Sequence, residues 1–333
     1  MIDSIPNNIS EFIKYRNDQK YLYTPGPASL VEENLLGLKP CFGRGDLDYS
    51  EIENFVLSNL KELSGHQKIV RLQGSASLAL EIMALNFLYG NVLIVSTGFY
   101  SDRLIQLANN AKLISNEIKK ISVINFNEID SISEQYDWIF ACYTETSRGY
   151  KISIEKLKLK ADKLKSRLML DATASIGLEI NHHLADVIGY SSCKGLFGLT
   201  GAAFIAYNEA PQNQIKSFYM NLKNHIDKKM TGPYHAICSL FETIKLHEQY
   251  THAVIKNKEK FLNKFKSFIS VPNENQPLIC TYVTCKITAK TDKAILYKPR
   301  NLSKGSIVCH LGEIHLKQSA QGNLVDFLNE EKD

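Results

Sequence analysis

The 333-residue sequence has no paired cysteine spacing, no long apolar run and no strong excess of charge. Its seven cysteines are scattered without a C-x-x-C pair, which argues against a zinc site and favours a reducing compartment. No apolar run approaches the roughly 20 residues of a membrane span. The N-terminus has no basic start followed by an apolar stretch. We therefore predict a cytoplasmic protein with neither a signal peptide nor a membrane segment.

The charge is nearly balanced, at a formal +4. Lysines are spread along helical segments and alternate with glutamates, a pattern typical of solvated helix faces and not of a nucleic-acid groove. We expect no nucleic-acid partner and no metal ion.

What the chain does contain is an alternation of apolar strands and helices. Such alternation predicts an α/β fold, a mostly parallel sheet covered by helices on both faces. The pattern changes near residue 212, and the length favours two domains. We predict a large domain over 20–235 and a reduced C-terminal α+β domain over 236–333, with 1–19 packing nearby. The last segment, 323–331, is predicted to be a helix.

Several polar groups follow predicted strands directly. The turn that contains Gly74 precedes a helix, an arrangement that directs backbone N–H groups at an anion but is also that of a simple helix N-cap. Asp171 ends a continuous apolar strand, and Thr146 lies in a hydroxyl-rich loop after another. Because ligands of open parallel sheets sit beyond the carboxyl ends of the strands, these groups predict one site.

A lone lysine, Lys194, lies among small residues between two predicted strands. Desolvation in such a cleft would lower its pKa and make it a nucleophile or Schiff-base former. The alternative is a lysine that only caps a loop. Lys194 and Tyr100 fall at the same predicted rim as the other groups.

The motifs at this rim, taken together, resemble those of the class V branch of fold-type-I pyridoxal-phosphate (PLP) enzymes. Within that branch the sequence is most similar to 2-aminoethylphosphonate–pyruvate transaminases. The resemblance rests on Leu22–Pro27, Leu72–Ser77, Ser96–Arg103, Thr144–Gly149, Asp171–Gly177 and Ser191–Lys194.

The resemblance implies PLP as the cofactor, with three residues around its ring. Lys194 would anchor the aldehyde and carry a proton. Asp171 would keep the pyridine nitrogen protonated, so that the ring accepts electrons. Tyr100 would stack on the ring.

It also implies how the rest of the cofactor is held. Gly74, Ser75, Ala76 and Ser77 would bind the phosphate. Thr146 or Ser147 would reach the ring's 3-oxygen or Asp171, and the sequence leaves both choices open. Thr231, before Gly232-Pro233, would reach the neighbouring subunit's phosphate, which implies a homodimer with shared sites.

The sequence departs from the family where a small-domain arginine clamps the substrate carboxylate, because His310 stands there instead. A histidine is no bidentate fork and is only partly charged at neutral pH. Arg148 or Arg44 could bind the substrate's acid group instead, although both could be surface residues.

Three hypotheses about function follow. The first is transamination of a small anionic amine. The best candidate is the pair of 2-aminoethylphosphonate and phosphonoacetaldehyde, which would react with a small amino or keto acid. The second is a PLP-dependent lyase or other Cα/Cβ chemistry, since the arginine is missing. The third is a non-catalytic homologue.

Overall fold

The computed structural model describes residues 8–27, 30–302, 304–316 and 323–331. Within these ranges the strands are β1 Tyr21–Tyr23, β2 Lys68–Gln73, β3 Gly90–Ser96, β4 Ile118–Asn125, β5 Trp138–Cys142, β6 Thr144–Glu145, β7 Tyr150–Lys151, β8 Arg167–Asp171, β9 Val187–Ser191, β10 Ala202–Tyr207, β11 Cys280–Val283, β12 Ile287–Ala289, β13 Ala294–Leu296, β14 Ser306–Cys309 and β15 Leu328–Glu330. The helices are α1 Ile9–Asn17, α2 Glu32–Leu36, α3 Leu47–Ser64, α4 Ala76–Phe87, α5 Phe99–Ser115, α6 Ile154–Leu164, α7 Leu222–Ile226, α8 Tyr234–Lys245 and α9 His247–Lys264.

A seven-stranded sheet in the order β2-β10-β9-β8-β5-β3-β4 forms the centre of the fold. Only β10 runs against its neighbours, β2 and β9, and the other pairs are parallel. The predicted mostly parallel sheet is confirmed. Its carboxyl edge is therefore shared by six strands.

Buried apolar layers cover both faces of this sheet. On β3, Val92 and Ile94 belong to one buried cluster, whereas Leu93 and Val95 belong to the other. Because successive side chains of a strand point to opposite faces, a continuous apolar run is what a strand covered on both sides requires.

The C-terminal part consists of small sheets and one long helix. Strands β11 and β14 are antiparallel, and β13 pairs in parallel with β1 from the N-terminal segment. Helix α8 packs into the core of the large sheet through Ala236, Ile237 and Leu240. The domain boundary at 235/236 stays a prediction.

The predicted helix over 323–331 is wrong. Leu324–Phe327 is a short 3-10 turn, and Leu328–Glu330 is strand β15. The segment is extended because it pairs with β12, with Ile287 opposite Glu330 and Ala289 opposite Leu328. This tertiary pairing overrides the local helical preference.

Among the described residues, the helices are too short or too polar to cross a bilayer. Residues 1–7, on which the signal-peptide prediction depends, lie outside those residues.

Candidate active site

A cavity of about 580 Å³ opens at the carboxyl edge of the sheet. It is lined by the ends of β8 and β9, the starts of α4 and α5, and the segment around β13. Seven of the residues predicted from sequence line it: Ser75, Ala76, Ser77, Tyr100, Thr146, Asp171 and Lys194.

Lys194 lies in a tight turn that follows β9. The Phe197 N–H donates to its carbonyl at 2.9 Å, and a Cβ on Gly195 would lie 2.2 Å from the Ile176 carbonyl oxygen. Only glycine fits after the lysine, so the turn is fixed in place. Nζ lies 5.6 Å from the Tyr100 ring centroid and, within the part of the chain that the structure describes, forms no ion pair or hydrogen bond. The amine is thus available to a ligand in the cavity.

Asp171 is the last residue of β8 and is only 2% exposed. Its Oδ1 accepts from the Thr173 backbone N–H at 2.9 Å, and its Oδ2 accepts from Arg103 Nη2 at 3.2 Å. The Thr173 hydroxyl also donates to Oδ1. A strand end and three donors hold this carboxylate in one orientation at the cavity wall.

The start of α5 places Tyr100. Its backbone N–H and that of Ser101 each donate to Glu145 Oε2 at 3.0 Å. Glu145 is 1% exposed, and its carboxylate complements the positive end of the helix. No role was assigned to Glu145 from the sequence. Its position as an acidic residue in the hydroxyl-rich loop could have indicated one.

The start of α4 presents N–H groups to the cavity. Ser75 is the N-cap in an extended conformation and makes no side-chain capping bond, so the first turn lacks a side-chain acceptor. Gly74 lies behind this turn, outside the cavity lining, where its N–H donates to the Gly201 carbonyl at 2.9 Å. Free helix N–H groups beside two serines suit a phosphate.

Arg103 is the main cavity residue that sequence reasoning did not assign. It bridges the two ends of the cavity, because Nη1 donates to Ser77 Oγ at 3.0 Å while Nη2 contacts Asp171. Its guanidinium carbon lies 5.4 Å from the Tyr100 ring centroid. Its spacing from Tyr100 could have indicated that it lines the same cavity, because residues i and i+3 lie on one face of a helix.

Thr146 and Ser147, in the hydroxyl-rich loop, have different surroundings. Thr146 is fully buried and lines the cavity, whereas the Ser147 hydroxyl donates to Glu145 and lies outside the lining. The neighbouring Thr144 also lines the cavity, and its buried Oγ1 has no hydrogen-bond partner among the described residues. Such an unsatisfied hydroxyl indicates a place for a polar ligand atom.

Besides Gly74 and Ser147, four more predicted residues lie outside the lining of this cavity. Thr231 is exposed in the loop before α8. Arg44 is exposed, and its Nη2 donates to the Lys229 carbonyl at 3.2 Å. Arg148 is exposed and lines a separate cavity.

The fourth, His310, is buried in the C-terminal part at 1% exposure. Its Nε2 lies 2.9 Å from Thr281 Oγ1, and its carbonyl accepts from Asn257 at 3.0 Å. Burial lowers the pKa of His310 to about 3. A neutral core histidine outside the cavity lining does not replace the family's arginine.

The C-terminal part contributes Tyr297 to the cavity. Burial, and then the neighbouring Tyr100, raise the pKa of its hydroxyl. Tyr297 is therefore a neutral donor at neutral pH.

The lining fits PLP. A free amine, a fixed carboxylate, an aromatic ring and an uncapped helix start converge on one cavity. These are the groups that an aldehyde, a pyridine nitrogen, a ring face and a phosphate require.

No family model matches the chain. It is 26% identical over 251 residues to a 2-aminoethylphosphonate–pyruvate transaminase of Klebsiella pneumoniae, covering 67% of this chain and 68% of that protein. It is 23% identical over 251 residues to an uncharacterized aminotransferase of Helicobacter pylori, covering 69% of this chain and 66% of that protein. The chain spans about two thirds of the length of these relatives.

Solved structures show the same fold. An alanine–glyoxylate aminotransferase of Nostoc superposes with a TM-score of 0.76 at 16% identity, covering 92% of both chains. A ureidoglycine–glyoxylate aminotransferase of Bacillus subtilis gives 0.75 at 16% identity, again covering 92% of both. The predicted fold and the predicted resemblance are confirmed.

Proposed function

We infer that this chain, a member of the class V PLP-dependent aminotransferases, transfers the amino group of a small anionic amine to a small keto acid. The observation that carries this proposal is the convergence of Lys194, Asp171 and Tyr100 at the uncapped start of α4. The best single candidate for the amine is 2-aminoethylphosphonate, with phosphonoacetaldehyde as its product. Support for it comes from the Klebsiella relative, whose name states that substrate.

Each residue has a defined task with the cofactor bound. PLP supplies an aldehyde and an electron-accepting ring. Asp171 would pair with the ring nitrogen, Tyr100 would pack on the ring face, and the Ser75–Ser77 turn would hold the phosphate. Lys194 would anchor the cofactor through its aldehyde; once the substrate's amine has displaced it, the free Nζ would take the proton from the substrate's carbon and pass it to the cofactor. Thr146 would be the loop residue on the cofactor's side.

The first experiment measures cofactor binding and the half-reaction. We expect the purified protein to take up PLP with its visible absorption band, and Lys194→Ala to lose that band. Lys223→Ala, an exposed lysine on α7, is the matched control and should keep it. Addition of 2-aminoethylphosphonate should convert the band to that of the pyridoxamine form. A wild-type protein that takes up no PLP would contradict the proposal.

A second candidate is lyase chemistry, favoured by one observation: His310 is a neutral core residue and provides no carboxylate clamp. Release of ammonia or carbon dioxide without a keto acceptor would identify a lyase. Conversion to the pyridoxamine form with a matching amount of carbonyl product, phosphonoacetaldehyde from 2-aminoethylphosphonate, would identify a transaminase.

A homodimer with shared sites is also part of the proposal. Thr231 is exposed and does not line the cavity of its own chain, which leaves it free to reach another. Phe42 and Leu47, on the loop and helix near Arg44, are 84% and 77% exposed. Light scattering should give a dimer mass, and Thr231→Ala should weaken PLP binding; a monomer with full PLP affinity would contradict this part. We expect the enzyme to be cytoplasmic.

A further inference from the structure

A second cavity, of about 440 Å³, lies where the large sheet meets the C-terminal part. Arg148 and Tyr150 line it from one side, and Tyr282 and Lys304 line it from the other. We propose that this cavity binds the anionic end of the amino substrate, with Arg148 and Lys304 as its charged contacts. The proposal rests on the aminotransferase function and names the substrate class of that site.

Two glycines bring the backbone next to each basic residue against Tyr282. Gly149 follows Arg148 with a φ of +58°, and a Cβ there would lie 2.8 Å from the Tyr282 backbone nitrogen. Gly305 follows Lys304 with a φ of +76°, and a Cβ there would lie 2.8 Å from the Tyr282 ring. Both close approaches need glycine. The backbones that carry Arg148 and Lys304 are therefore positioned by the same tyrosine.

The lining is positive and rich in donors. Besides Arg148 and Lys304 it contains three asparagines, Asn125, Asn127 and Asn301, and the lining residues include no aspartate or glutamate. Both cations are exposed, so an entering ligand can reach them. Arginine matches phosphonate and carboxylate oxygens through paired N–H groups. This chemistry selects an organic anion.

The cavity is linked to the cofactor cavity through three chain segments. In each segment one residue lines the cofactor cavity and another, within four positions, lines the second cavity. The pairs are Tyr100 and Thr97, Thr146 and Arg148, and Tyr297 and Asn301. Thr146 and Arg148 are two residues apart, which is at most about 7 Å of extended chain. The two cavities are therefore neighbours, and the proposal places the substrate's amine at Lys194 in one and its acid group at Arg148 in the other.

The size of the second cavity also bears on which substrates it can hold. Its volume exceeds that of a bare phosphonate group, and Phe126, Tyr150 and Tyr282 supply aromatic walls. These walls favour an acid group carried on a larger, partly apolar or ring-bearing body. The substrate class thus includes, besides 2-aminoethylphosphonate, larger amines with a phosphonate, phosphate or carboxylate end.

The test is calorimetric titration of phenylphosphonate into the PLP-loaded protein. We expect Arg148→Gln/Lys304→Gln to bind it about tenfold more weakly or worse, because two charged contacts are lost. Lys223→Gln/Lys256→Gln removes the same charge from exposed positions outside both cavities and should bind as the wild type does. Benzoate in place of phenylphosphonate distinguishes carboxylate from phosphonate preference, and neutral benzyl alcohol should bind more weakly than either.

A kinetic measurement then separates substrate binding from a detached anion site. Phenylphosphonate should compete with the amino substrate, 2-aminoethylphosphonate. In the Arg148/Lys304 variant the KM for this amine should be raised, while kcat and the PLP absorption band persist. Equal phenylphosphonate affinity in the wild type and this variant, or binding without competition, would overturn the proposal. If no amine is transaminated, the proposed function fails, while the calorimetric comparison still decides whether the anion site exists.

Discussion

The two cavities are lined by neighbouring residues of the same chain segments but are built differently. The cofactor cavity takes its polar groups from the ends of strands and the starts of helices: Asp171 ends β8, Lys194 follows β9, and Ser75 lies at the N-cap position of α4. The Arg148/Lys304 cavity takes its cations from loops, on two parts of the chain that are far apart in sequence.

The difference between the two cavities corresponds to two tasks, cofactor chemistry and substrate choice. Cofactor chemistry needs a few atoms held in one geometry, which regular elements provide. Substrate choice can vary with loops that the scaffold only positions. The following predictions test this contrast, beginning with the cofactor cavity.

The largest effect is expected at Asp171. Asp171→Ala should lower kcat on the order of a hundredfold or more, because a positioned charge is lost where the reaction develops charge. The protein should still fold and bind PLP, as the visible band and an unfolding curve would show. A kcat within a few-fold of the wild type would remove Asp171 from the catalytic set.

Arg103 should come next, with an effect on cofactor binding. Arg103→Gln removes the bridge between Ser77 and Asp171, and charged hydrogen bonds contribute about 1.5–3 kcal/mol. We expect the Kd for PLP to rise about ten- to a hundredfold, which corresponds to that energy. Equilibrium dialysis measures it. Arg103→Lys keeps the positive charge but loses the paired N–H groups, so its Kd for PLP should lie between those of the wild type and Arg103→Gln. An unchanged Kd in both variants would contradict a role of Arg103 in cofactor binding.

His310 should affect stability and not substrate binding. Its native pKa is about 3, below the roughly 6.5 of an unfolded histidine, so protons favour the unfolded chain between these values. The free energy of unfolding should therefore fall as the pH drops below about 6.5, by up to about 1.4 kcal/mol per pH unit for one histidine. His182 and His315, with pKa values lowered by burial to about 3 and about 4, add to the fall.

The measurement for His310 is urea unfolding near pH 7 and pH 5. His310→Gln should show a shallower loss of stability than the wild type and an unchanged KM for the amine. An equal loss in both proteins would contradict the buried neutral histidine, and a raised KM would return His310 to the substrate site.

The smallest effect is expected at Arg44. It is exposed, and among the described residues it donates only to the Lys229 carbonyl. Arg44→Gln should therefore change the free energy of unfolding by less than about 0.5 kcal/mol. Its KM should match the wild type, in contrast to the Arg148/Lys304 variant. A raised KM would place Arg44 at the substrate, across a subunit boundary.

The sequence itself determined the fold and most of the cofactor cavity. Apolar runs such as 92–95 require a strand covered on both faces, and the carboxyl ends of parallel strands share one edge. That rule brings Asp171, Lys194, Tyr100 and the Ser75 turn together without any coordinates. The resemblance of the motifs to one family suggested the roles proposed for them.

Only the tertiary structure decided the groups whose partners are distant in the chain. Arg103 acquires its task because α5 passes beside both Ser77 and Asp171, and His310 becomes a core residue because β14 pairs with β11. Arg148 and Lys304 line one cavity because the glycines that follow them, Gly149 and Gly305, both pack against Tyr282. Local patterns record propensity and periodicity, whereas such contacts depend on how separate elements pack.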